Sequence, residues 1–459
     1  MKKQREHKWA LSTTQIIVLG FLTAIIIGGF LLSLPVSSAD GHSVPLLDAM
    51  FTSTTSVCVT GLVVANTYEQ WSRFGQAVIL LLIQCGGLGI VTFTTSFMLI
   101  LGRKVTLRDR LLMQDAYNLN TLTGLVKFTK KVIFGTLIVE CAGAVLYMFT
   151  FIPEFGWKEG VWISVFNSVS AFCNAGIDII GPNSLAPYVT NVSVNLITMA
   201  LIILGGIGFI VWWDILHMAG KVKRKEVPSG AFFNRLSLHT KIVLTTTLCL
   251  IGIGALLIFI LEFNNPETIG GLSFGDKIMA SAFESVTART AGFLTFSQKA
   301  MRDSSALVCM ILMFIGGSPV GTAGGVKTST FALVIIAAMS AVKGSEHGTA
   351  FRRRLHNRTM RKALAVILIS FLVVMSATIL LSTFCGGELT DVMFETFSAI
   401  GTAGLTRDYT AAMNSVGKII IMICMYLGRV GPISMAIIFG FKKNKYGLAE
   451  YPGEDITVG

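Results

Sequence analysis

The stretch Phe166–Gly176 reads FNSVSAFCNAG, and a closely similar stretch, FETFSAIGTAG, occupies residues 394–404. Each lies between two long hydrophobic runs and is itself too short to cross a bilayer, which takes about 20 apolar residues in a helix. Two more stretches match them, FTSTTSVCVTG at 51–61 and FESVTARTAG at 283–292, the last being one residue shorter. All four end in glycine, so the chain repeats one short, non-spanning segment four times.

The four closing glycines recur at a nearly fixed period. They are Gly61, Gly176, Gly292 and Gly404, separated by 115, 116 and 112 residues. A fixed period indicates an internal repeat, and membrane proteins use such duplications to build one shared central site. The pattern predicts an N-terminal segment, four repeats and a tail, at 1–12, 13–110, 111–225, 226–343, 344–441 and 442–459.

Composition indicates a polytopic membrane protein. Hydrophobic residues make up 53% of the chain and charged residues 14%, with a mean hydropathy of +0.70, whereas soluble domains carry about 25% charged residues. Apolar runs long enough to cross a bilayer predict eight spanning helices. Their ranges are 13–34, 74–101, 127–151, 193–218, 239–262, 305–341, 361–384 and 416–440.

A short apolar segment follows the first, third, fifth and seventh of these helices. These segments lie near 46–57, 161–172, 275–288 and 389–400. About a dozen residues give roughly 18 Å of helix, which is about half of a membrane. Each repeat is therefore predicted to contain a long helix (M1), a half-helix (P), a glycine turn and a second long helix (M2). The predicted fold class is an all-α membrane protein with four such repeats around a central pore.

The positive charge is distributed as in a membrane protein. The formal net charge is +12, and 27 of the 37 lysines and arginines lie at 2–8, 103–131, 221–241, 343–362 and 442–445. These clusters alternate with more acidic segments, which is the positive-inside pattern and predicts that both termini are cytoplasmic. This distribution argues against a nucleic-acid-binding protein.

Catalytic and metal-binding patterns are missing from the sequence. None of the eight cysteines forms a CxxC pair, and most lie within apolar runs, as expected of small packing residues. The six histidines have no metal-ligand spacing, and no nucleophile–base pattern is present. We therefore expect neither an enzyme nor an organic cofactor.

The four glycine turns predict a path for a monovalent cation. Non-helical backbone at membrane depth must be buried in protein or line a wet cavity. Half-helix C-termini carry about −0.5 charge, and rings of backbone carbonyls replace the water shell of ions in channel filters. Glu284 and Glu395 occur in only two repeats, so a carboxylate site for Ca²⁺ fits less well. The alternative, four broken hairpins that merely close loops, leaves their common register unexplained.

The sixth predicted helix contains FIGGSPVGTAGGVKT at 314–328. Its order differs from the Gly-Lys-Ser/Thr of a phosphate-binding loop. Proline and repeated glycine break helices, so we predict an interruption that lines a wet path. It is either a passive kink or a gate beneath the filter. The candidate gate residues here are Gly316, Gly317, Ser318, Pro319, Gly321, Thr322, Gly324, Gly325 and Lys327.

Two arginines lie at predicted membrane depth. Arg429 is inside an apolar helix, where a charge is costly and usually faces a wet interior or a partner. It either caps carbonyls structurally or belongs to the gate, by bonding the loop and repelling cations. Arg289 lies in the third turn, and we expect it to anchor that turn to Glu284 or to a neighbouring half-helix.

The motifs VCVTGL, FCNAGI, ARTAGF and IGTAGL, with the tail EYPGEDITVG, resemble the Trk/Ktr/HKT superfamily of potassium transporters, and most closely its KtrB-type membrane subunits. The resemblance covers nearly the whole chain. It implies a potassium-channel-like, pseudo-four-fold architecture in which the four glycines line the filter. Some relatives with serine at the first glycine conduct sodium, so Gly61 implies potassium. The implied filter residues are Val59, Thr60, Gly61, Asn174, Ala175, Gly176, Thr290, Ala291, Gly292, Thr402, Ala403 and Gly404.

The resemblance also implies a gate and partners. In the family an intramembrane loop at the position of 316–327 obstructs the pore, and a matching arginine stands at the position of Arg429. The family subunit is a homodimer that binds a cytosolic RCK-type ring, which carries ATP or ADP. The basic loop 351–362 is otherwise explained by topology and by contacts with anionic membrane lipids.

These observations predict a potassium uptake subunit in the bacterial cytoplasmic membrane, with sodium as a modulating or coupled ion. The first alternative is a sodium-selective or sodium/potassium symporting member of the same fold. A second alternative, from another class, is a receptor or scaffold that moves no ions.

Overall fold

The computed structural model describes residues 13–100, 105–116, 124–345 and 347–431. The predicted segment 1–12, the tail 442–459 and the last part of the predicted eighth helix lie outside these residues. Helices dominate the described chain. The helices are α1 Thr13–Ser33, α2 Leu46–Cys58, α3 Thr67–Gln70, α4 Arg73–Leu88, α5 Ile90–Ile100, α6 Leu107–Ala116, α7 Leu125–Cys173, α8 Val192–Gly206, α9 Phe209–Lys223, α10 Phe232–Arg235, α11 Leu238–Glu262, α12 Phe274–Thr287, α13 Asp303–Phe314, α14 Thr328–Val342, α15 Asn357–Cys385, α16 Leu389–Gly401, α17 Tyr409–Ala412 and α18 Ser415–Val430.

A two-stranded antiparallel hairpin lies between α14 and α15. Its strands are β1, Thr349–Ala350, and β2, Arg353–Arg354, with Thr349 opposite Arg354. Phe351 and Arg352 form the turn with φ of 49° and 61°, the left-handed conformation that two-residue hairpin turns require.

The M1 helices match the prediction, but the M2 helices are broken. Among the described residues, four helices are long and apolar enough to cross a membrane, namely α1, α7, α11 and α15, or five if α8 and α9, bent by 99°, count as one span. The eight predicted spanning helices did not include the breaks in the second helix of the first, second and fourth repeats. Only the interruption of the sixth helix was expected, and it occurs between α13 and α14.

Glycine is the physical reason for the other three breaks. Gly89, Gly208 and Gly431 have φ of 82°, 91° and 89° and ψ close to 139°, a conformation that costs glycine little and other residues much. Each stands three residues after another glycine whose added Cβ would lie within 2.2 Å of a half-helix carbonyl. The spacing GxxG at 86–89, 205–208 and 428–431 therefore combines close packing with a helix break.

The second half-helix is continuous in trace with the M1 helix before it. Residues 125–173 form α7, and the break between the two parts is Gly156, with φ of 78° and ψ of 171°. The predicted ranges 127–151 and 161–172 are thus one kinked element. The other half-helices, α2, α12 and α16, begin and end within one residue of their predicted bounds.

Each half-helix is seated by a buried phenylalanine and a hydroxyl. The phenylalanines that open the repeated segment are fully buried, namely Phe51, Phe166, Phe283 and Phe394. Two residues later, a serine donates to an M1 carbonyl in the first three repeats: Ser53 to Ile25 at 2.7 Å, Ser168 to Glu140 at 2.6 Å and Ser285 to Ile251 at 2.9 Å. Three residues after each acceptor the M1 helix carries a glycine, which makes room for the serine.

The outer faces of the long helices are apolar and exposed. Phe149 on α7, Leu248 on α11 and Ile379 on α15 are each more than 60% exposed. A water-soluble protein rarely leaves so much apolar surface in contact with water, whereas such a surface is stable in contact with lipid. The glycine turns and the ends of the half-helices that lead into them are buried inside this shell, so their irregular backbone is shielded from lipid, as it must be.

Candidate ion pathway

The four glycine turns share one backbone conformation. Two residues before each glycine, the chain enters the left-handed region, at Val59, Asn174, Thr290 and Thr402, with φ of 54°, 59°, 70° and 53°. The glycines follow with φ of 99°, 64°, 86° and 86°. Left-handed β-branched residues are strained and persist only where the surroundings hold them.

Three of the turns end their half-helices with the same pair of hydrogen bonds. Thr60 N donates to Thr55 O, Ala175 N to Ser170 O and Ala403 N to Ser398 O, each at 2.8 Å. In each of these turns the backbone N–H one residue earlier also donates, to the carbonyl three residues before it. The two bonds together form a Schellman motif. The third turn differs, because Ala291 N donates to Thr287 O, four residues back. The one-residue deletion thus makes the four-fold symmetry approximate.

The turns meet in a closed ring. A Cβ added at Gly61 would lie 2.5 Å from the Ala175 carbonyl oxygen, and one at Gly176 would lie 2.2 Å from that of Ala291. A Cβ at Gly292 would lie 2.8 Å from Ala403 O, and one at Gly404 would lie 2.3 Å from Thr60 O. Each glycine therefore faces the carbonyl that precedes the glycine of the next repeat. No side chain fits at these four positions without moving backbone.

All twelve predicted filter residues lie in these turns. The hydroxyls of Thr60, Thr290 and Thr402 are buried and have no hydrogen-bond partner within the described residues. Glu284 and Glu395 are fully buried and bond segments beyond the glycines, through Gln298 and through Thr406 and Thr410. The ring is thus made of backbone and hydroxyl oxygens, without a carboxylate.

The loop between α13 and α14 packs directly against the ring. A Cβ at Gly324 would meet Thr402 Oγ1 at 2.1 Å, and one at Gly316 would meet Thr290 Cγ2 at 3.1 Å. Thr322 Oγ1 lies 2.7 Å from Asn174 Oδ1, to which it donates, and 3.0 Å from Phe172 O. The glycines of the loop are therefore required because the turns lie against its backbone.

The two ends of the loop meet at Gly316 and Thr328, and this neck of the loop is held by Arg289. Its Nη2 donates to Gly316 O at 3.2 Å and to Thr328 Oγ1 at 3.1 Å, and Thr328 Oγ1 donates to Gly316 O at 3.0 Å. The expectation that Arg289 anchors the turn to Glu284 or to a neighbouring half-helix is wrong, because its described bonds go to the loop and to the start of α14. The shortened third turn directs Arg289 toward the loop, while Glu284 bonds Gln298 and lies 3.7 Å from Cys309 Sγ.

The far part of the loop is held by Arg429. This arginine donates to Thr322 O in the loop and to Gly86 O and Gly87 O at the break in the first repeat. Because Thr322 also bonds the second half-helix, Thr322 and Arg429 connect all four repeats beneath the ring. Ser318 N and Thr322 N donate to Gly206 O and Gly205 O, at 2.8 and 3.2 Å.

Comparison with known proteins identifies the family. The family of cation transport proteins described as "TrkH: Cation transport protein" matches residues 2–446. The chain belongs to this family. It is 38% identical to the Ktr system potassium uptake protein B of Bacillus subtilis, with all of both chains covered. It is 36% identical to the potassium/sodium uptake protein NtpJ of Enterococcus hirae, covering 100% of this chain and 99% of that one.

A solved structure gives the TrkH fold. The potassium transporter TrkH from Vibrio parahaemolyticus superposes with a TM-score of 0.73 over 96% of this chain and 87% of that chain, at 16% identity. This likeness confirms the predicted fold class. Because the TrkH family consists of transport proteins, the chain is a membrane transport protein and not an enzyme.

Three cationic side chains lie beneath the ring, namely Arg289, which is buried, and Lys327 and Arg429, which are partly buried. Arg289 and Arg429 bond carbonyls as described, and Lys327 Nζ donates to Ala323 O at 2.6 Å. None of the three forms a salt bridge in the part of the chain that the structure describes. Among the described residues their bonds go to carbonyl oxygens and, for Arg289, also to the Thr328 hydroxyl, so a region of positive charge lies beneath the ring.

The opposite end of the ring carries acidic groups. Asp178 follows Gly176 by two residues, and desolvation raises its pKa to about 6. Asp391, at the start of α16, forms a buried ion pair with Arg407 Nε at 2.8 Å. Neither this pair nor the glycine breaks of the other M2 helices were among the features predicted from the sequence. The GxxG spacing was the available signal for the breaks, whereas nothing local pairs residues 391 and 407.

Proposed function

We propose that this TrkH-family protein is a potassium uptake subunit that conducts ions in a channel-like manner. The observation that carries the proposal is the closed ring in which each of four glycines faces a carbonyl of the next repeat. Rings of backbone carbonyls replace the water shell of a monovalent cation in channel filters. The relatives named as potassium uptake proteins support the same ion.

The selectivity filter is the ring itself. Potassium would bind main-chain oxygens near the residue pairs that precede the four glycines, with the glycines as close-approach positions. The pairs are Val59 and Thr60, Asn174 and Ala175, Thr290 and Ala291, and Thr402 and Ala403. The negative ends of four half-helices favour a cation there.

The gate is the loop 315–327 together with Arg429. The loop lies against three of the filter turns, is bonded directly to the second and fourth repeats, and is connected to the first repeat through Arg429. Its position, and the positive charge of Arg289, Lys327 and Arg429, would stop a cation below the filter. Opening requires the Arg429 bonds to Thr322 and to the first repeat to break while the neck at Arg289 holds.

The membrane potential drives uptake, at about 2.3 kcal/mol per unit charge for each 100 mV. Sodium dependence or coupling is the finer alternative, and a symporter or sodium-selective protein of the same fold is the second candidate. The similarity to a protein named for potassium and sodium uptake supports this second candidate.

A cytosolic partner regulates the subunit. We place both termini and the hairpin β1–β2 in the cytoplasm of a bacterium, where a nucleotide-binding RCK-type ring would contact the basic loops of a homodimer. Phe351 packs on Phe233 with ring centroids 6.0 Å apart, so the hairpin is docked on the segment that precedes α11. Force on the hairpin would therefore reach the third repeat, which carries the gate loop.

The test is Rb⁺ uptake by purified protein in liposomes, with and without the cytosolic partner. We expect uptake that K⁺ inhibits at lower concentration than Na⁺, and that rises when the partner is added with ATP. Equal inhibition by Na⁺ and K⁺ would favour the sodium-transporting alternative. Absence of ion flux in folded protein, with and without the partner, would favour a receptor or scaffold.

A further inference from the structure

A row of four hydroxyls stands behind the ring. Four residues after the opening phenylalanine, each half-helix carries a serine or threonine, namely Thr55, Ser170, Thr287 and Ser398. All four are fully buried. This position is distinct from the serines that seat the half-helices on the M1 helices, which lie two residues earlier.

Three of these hydroxyls bond the backbone at or immediately after the filter glycine. Gly61 N donates to Thr55 Oγ1 at 2.9 Å, and Ile177 N donates to Ser170 Oγ at 3.1 Å. Thr287 Oγ1 donates to Phe293 O at 2.6 Å. The same position in the sequence thus bonds the backbone at or after the filter glycine in three repeats, as an acceptor from N–H in the first two and as a donor to a carbonyl in the shorter third.

These bonds set the direction of carbonyl groups. A peptide unit is planar and trans, so its N–H and C=O point in opposite directions. Holding Gly61 N–H toward Thr55 turns the Thr60 carbonyl the other way, toward Gly404. Holding Ile177 N–H toward Ser170 likewise directs the Gly176 carbonyl away from the half-helix, whereas the Phe293 carbonyl is held toward Thr287.

The fourth repeat provides an internal contrast. Ser398 Oγ is buried but has no hydrogen-bond partner within the described residues. In this repeat Glu395 accepts from Thr406 Oγ1 at 2.7 Å and from Thr410 Oγ1. The segment after Gly404 is therefore held through side chains, and its peptide units are not fixed by the hydroxyl of the row.

We propose that Thr55, Ser170 and Thr287 are selectivity-positioning residues, which keep the filter carbonyls at the orientation that suits K⁺ over Na⁺. The proposal rests on the proposed function of the ring. A peptide unit released from its hydroxyl can rotate, so that the oxygens adapt to the smaller ion. Ser398 occupies the same position without this role.

The test compares Thr55→Val, Ser170→Ala and Thr287→Val with the matched control Ser398→Ala. The readout is the ratio of Na⁺ to K⁺ concentrations that halve Rb⁺ uptake into liposomes. This ratio does not depend on the amount of folded protein. We expect the first three variants to lower it about three- to tenfold, the size of effect that one hydrogen bond allows. Ser398→Ala and the hydroxyl-preserving Thr55→Ser should leave it unchanged.

The outcomes separate this proposal from that of the filter. An unchanged ratio in Thr55→Val and Ser170→Ala, with a lowered ratio in Gly61→Ser, would overturn the hydroxyl proposal and keep the filter. An unchanged ratio in Gly61→Ser as well would overturn the filter assignment. A loss in Ser398→Ala equal to that in Ser170→Ala would also overturn the hydroxyl proposal. If Thr55→Val does not fold, Ser170→Ala, which removes one oxygen atom, decides.

Discussion

The carbonyl oxygen of Thr60 lies against Gly404, so that a Cβ at residue 404 would be 2.3 Å from it. These residues belong to the first and fourth repeats, and their contact closes the ring of turns. Any L-residue at 404 must also adopt a φ of 86°, which is unfavourable for a side chain.

We predict that Gly404→Ala lowers K⁺ over Na⁺ preference in Rb⁺ uptake by at least about tenfold, equivalent to roughly 1.4 kcal/mol. The added methyl group must displace the Thr60 carbonyl from its position in the ring. Gly181→Ala is the control, because no atom lies within 4 Å of its added Cβ. Retained preference in Gly404→Ala would place the filter elsewhere.

Replacing Arg429 by alanine should raise Rb⁺ flux in the absence of the cytosolic partner, by about tenfold or more. The change removes the donor to Thr322 O, Gly86 O and Gly87 O, and hydrogen bonds to charged groups contribute about 1.5–3 kcal/mol each. A deletion within 317–325 should act in the same direction. Arg361→Ala, at an exposed arginine of α15, is the control, and lower flux in folded Arg429→Ala would contradict the gate.

Arg289 and Thr328 should be energetically coupled. Both bond Gly316 O, and Arg289 also bonds Thr328 directly. A double-mutant cycle with Arg289→Gln and Thr328→Val, followed by thermal unfolding in detergent, should give an interaction energy of about 0.5–3 kcal/mol. Strict additivity of the two changes would mean that the neck of the loop does not depend on this contact.

Two glycines of the M1 helix α11 give a stability prediction and its control. A Cβ at Gly254 would lie 2.4 Å from Ser285 Oγ and 2.8 Å from Leu312 Cδ1. We expect Gly254→Ala to lower stability by about 1–3 kcal/mol through overpacking. Gly252→Ala has no atom within 4 Å of its Cβ and should leave stability unchanged or raise it by up to about 1 kcal/mol. Equal effects would show that the half-helix is not seated as described.

The raised pKa of Asp178 predicts a pH effect of definite sign. The folded protein holds this proton up to a pKa of about 6, whereas an unfolded aspartate releases it near 3.9. The folded state therefore binds more protons between these values, and the group's contribution to stability rises as pH falls through 6. Wild type should gain melting temperature relative to Asp178→Asn between pH 7.5 and 5. A constant difference would contradict the raised pKa.

Much of the fold could be predicted because the signals are local and repeated. Half-helix length, the closing glycines and the interruption at 314–328 follow from hydropathy and from glycine and proline chemistry. The breaks at Gly89, Gly208 and Gly431 were missed because isolated glycines inside apolar runs are also ordinary packing residues in membranes. Here the two roles are divided, since one glycine of every GxxG packs and the other turns the chain.

The partner of Arg289 shows why some contacts could not be predicted. Glu284 is a nearby carboxylate on the same half-helix, so a local ion pair was the reasonable expectation. The deletion of one residue changes the hydrogen bonding of the third turn, and the guanidinium meets a carbonyl 27 residues further along the chain. Such a direction depends on backbone geometry and not on the order of residue types.

The sequence by itself determined that four equivalent turns exist, where each lies and which residue must be glycine, because periodicity and residue chemistry are readable along one dimension. Only the tertiary structure decided which carbonyl faces which glycine. Residues more than 100 positions apart meet in that ring, and the choice depends on how four packed repeats are arranged around their common axis. The same packing decides which three hydroxyls find a backbone partner and which one, Ser398, has none among the described residues.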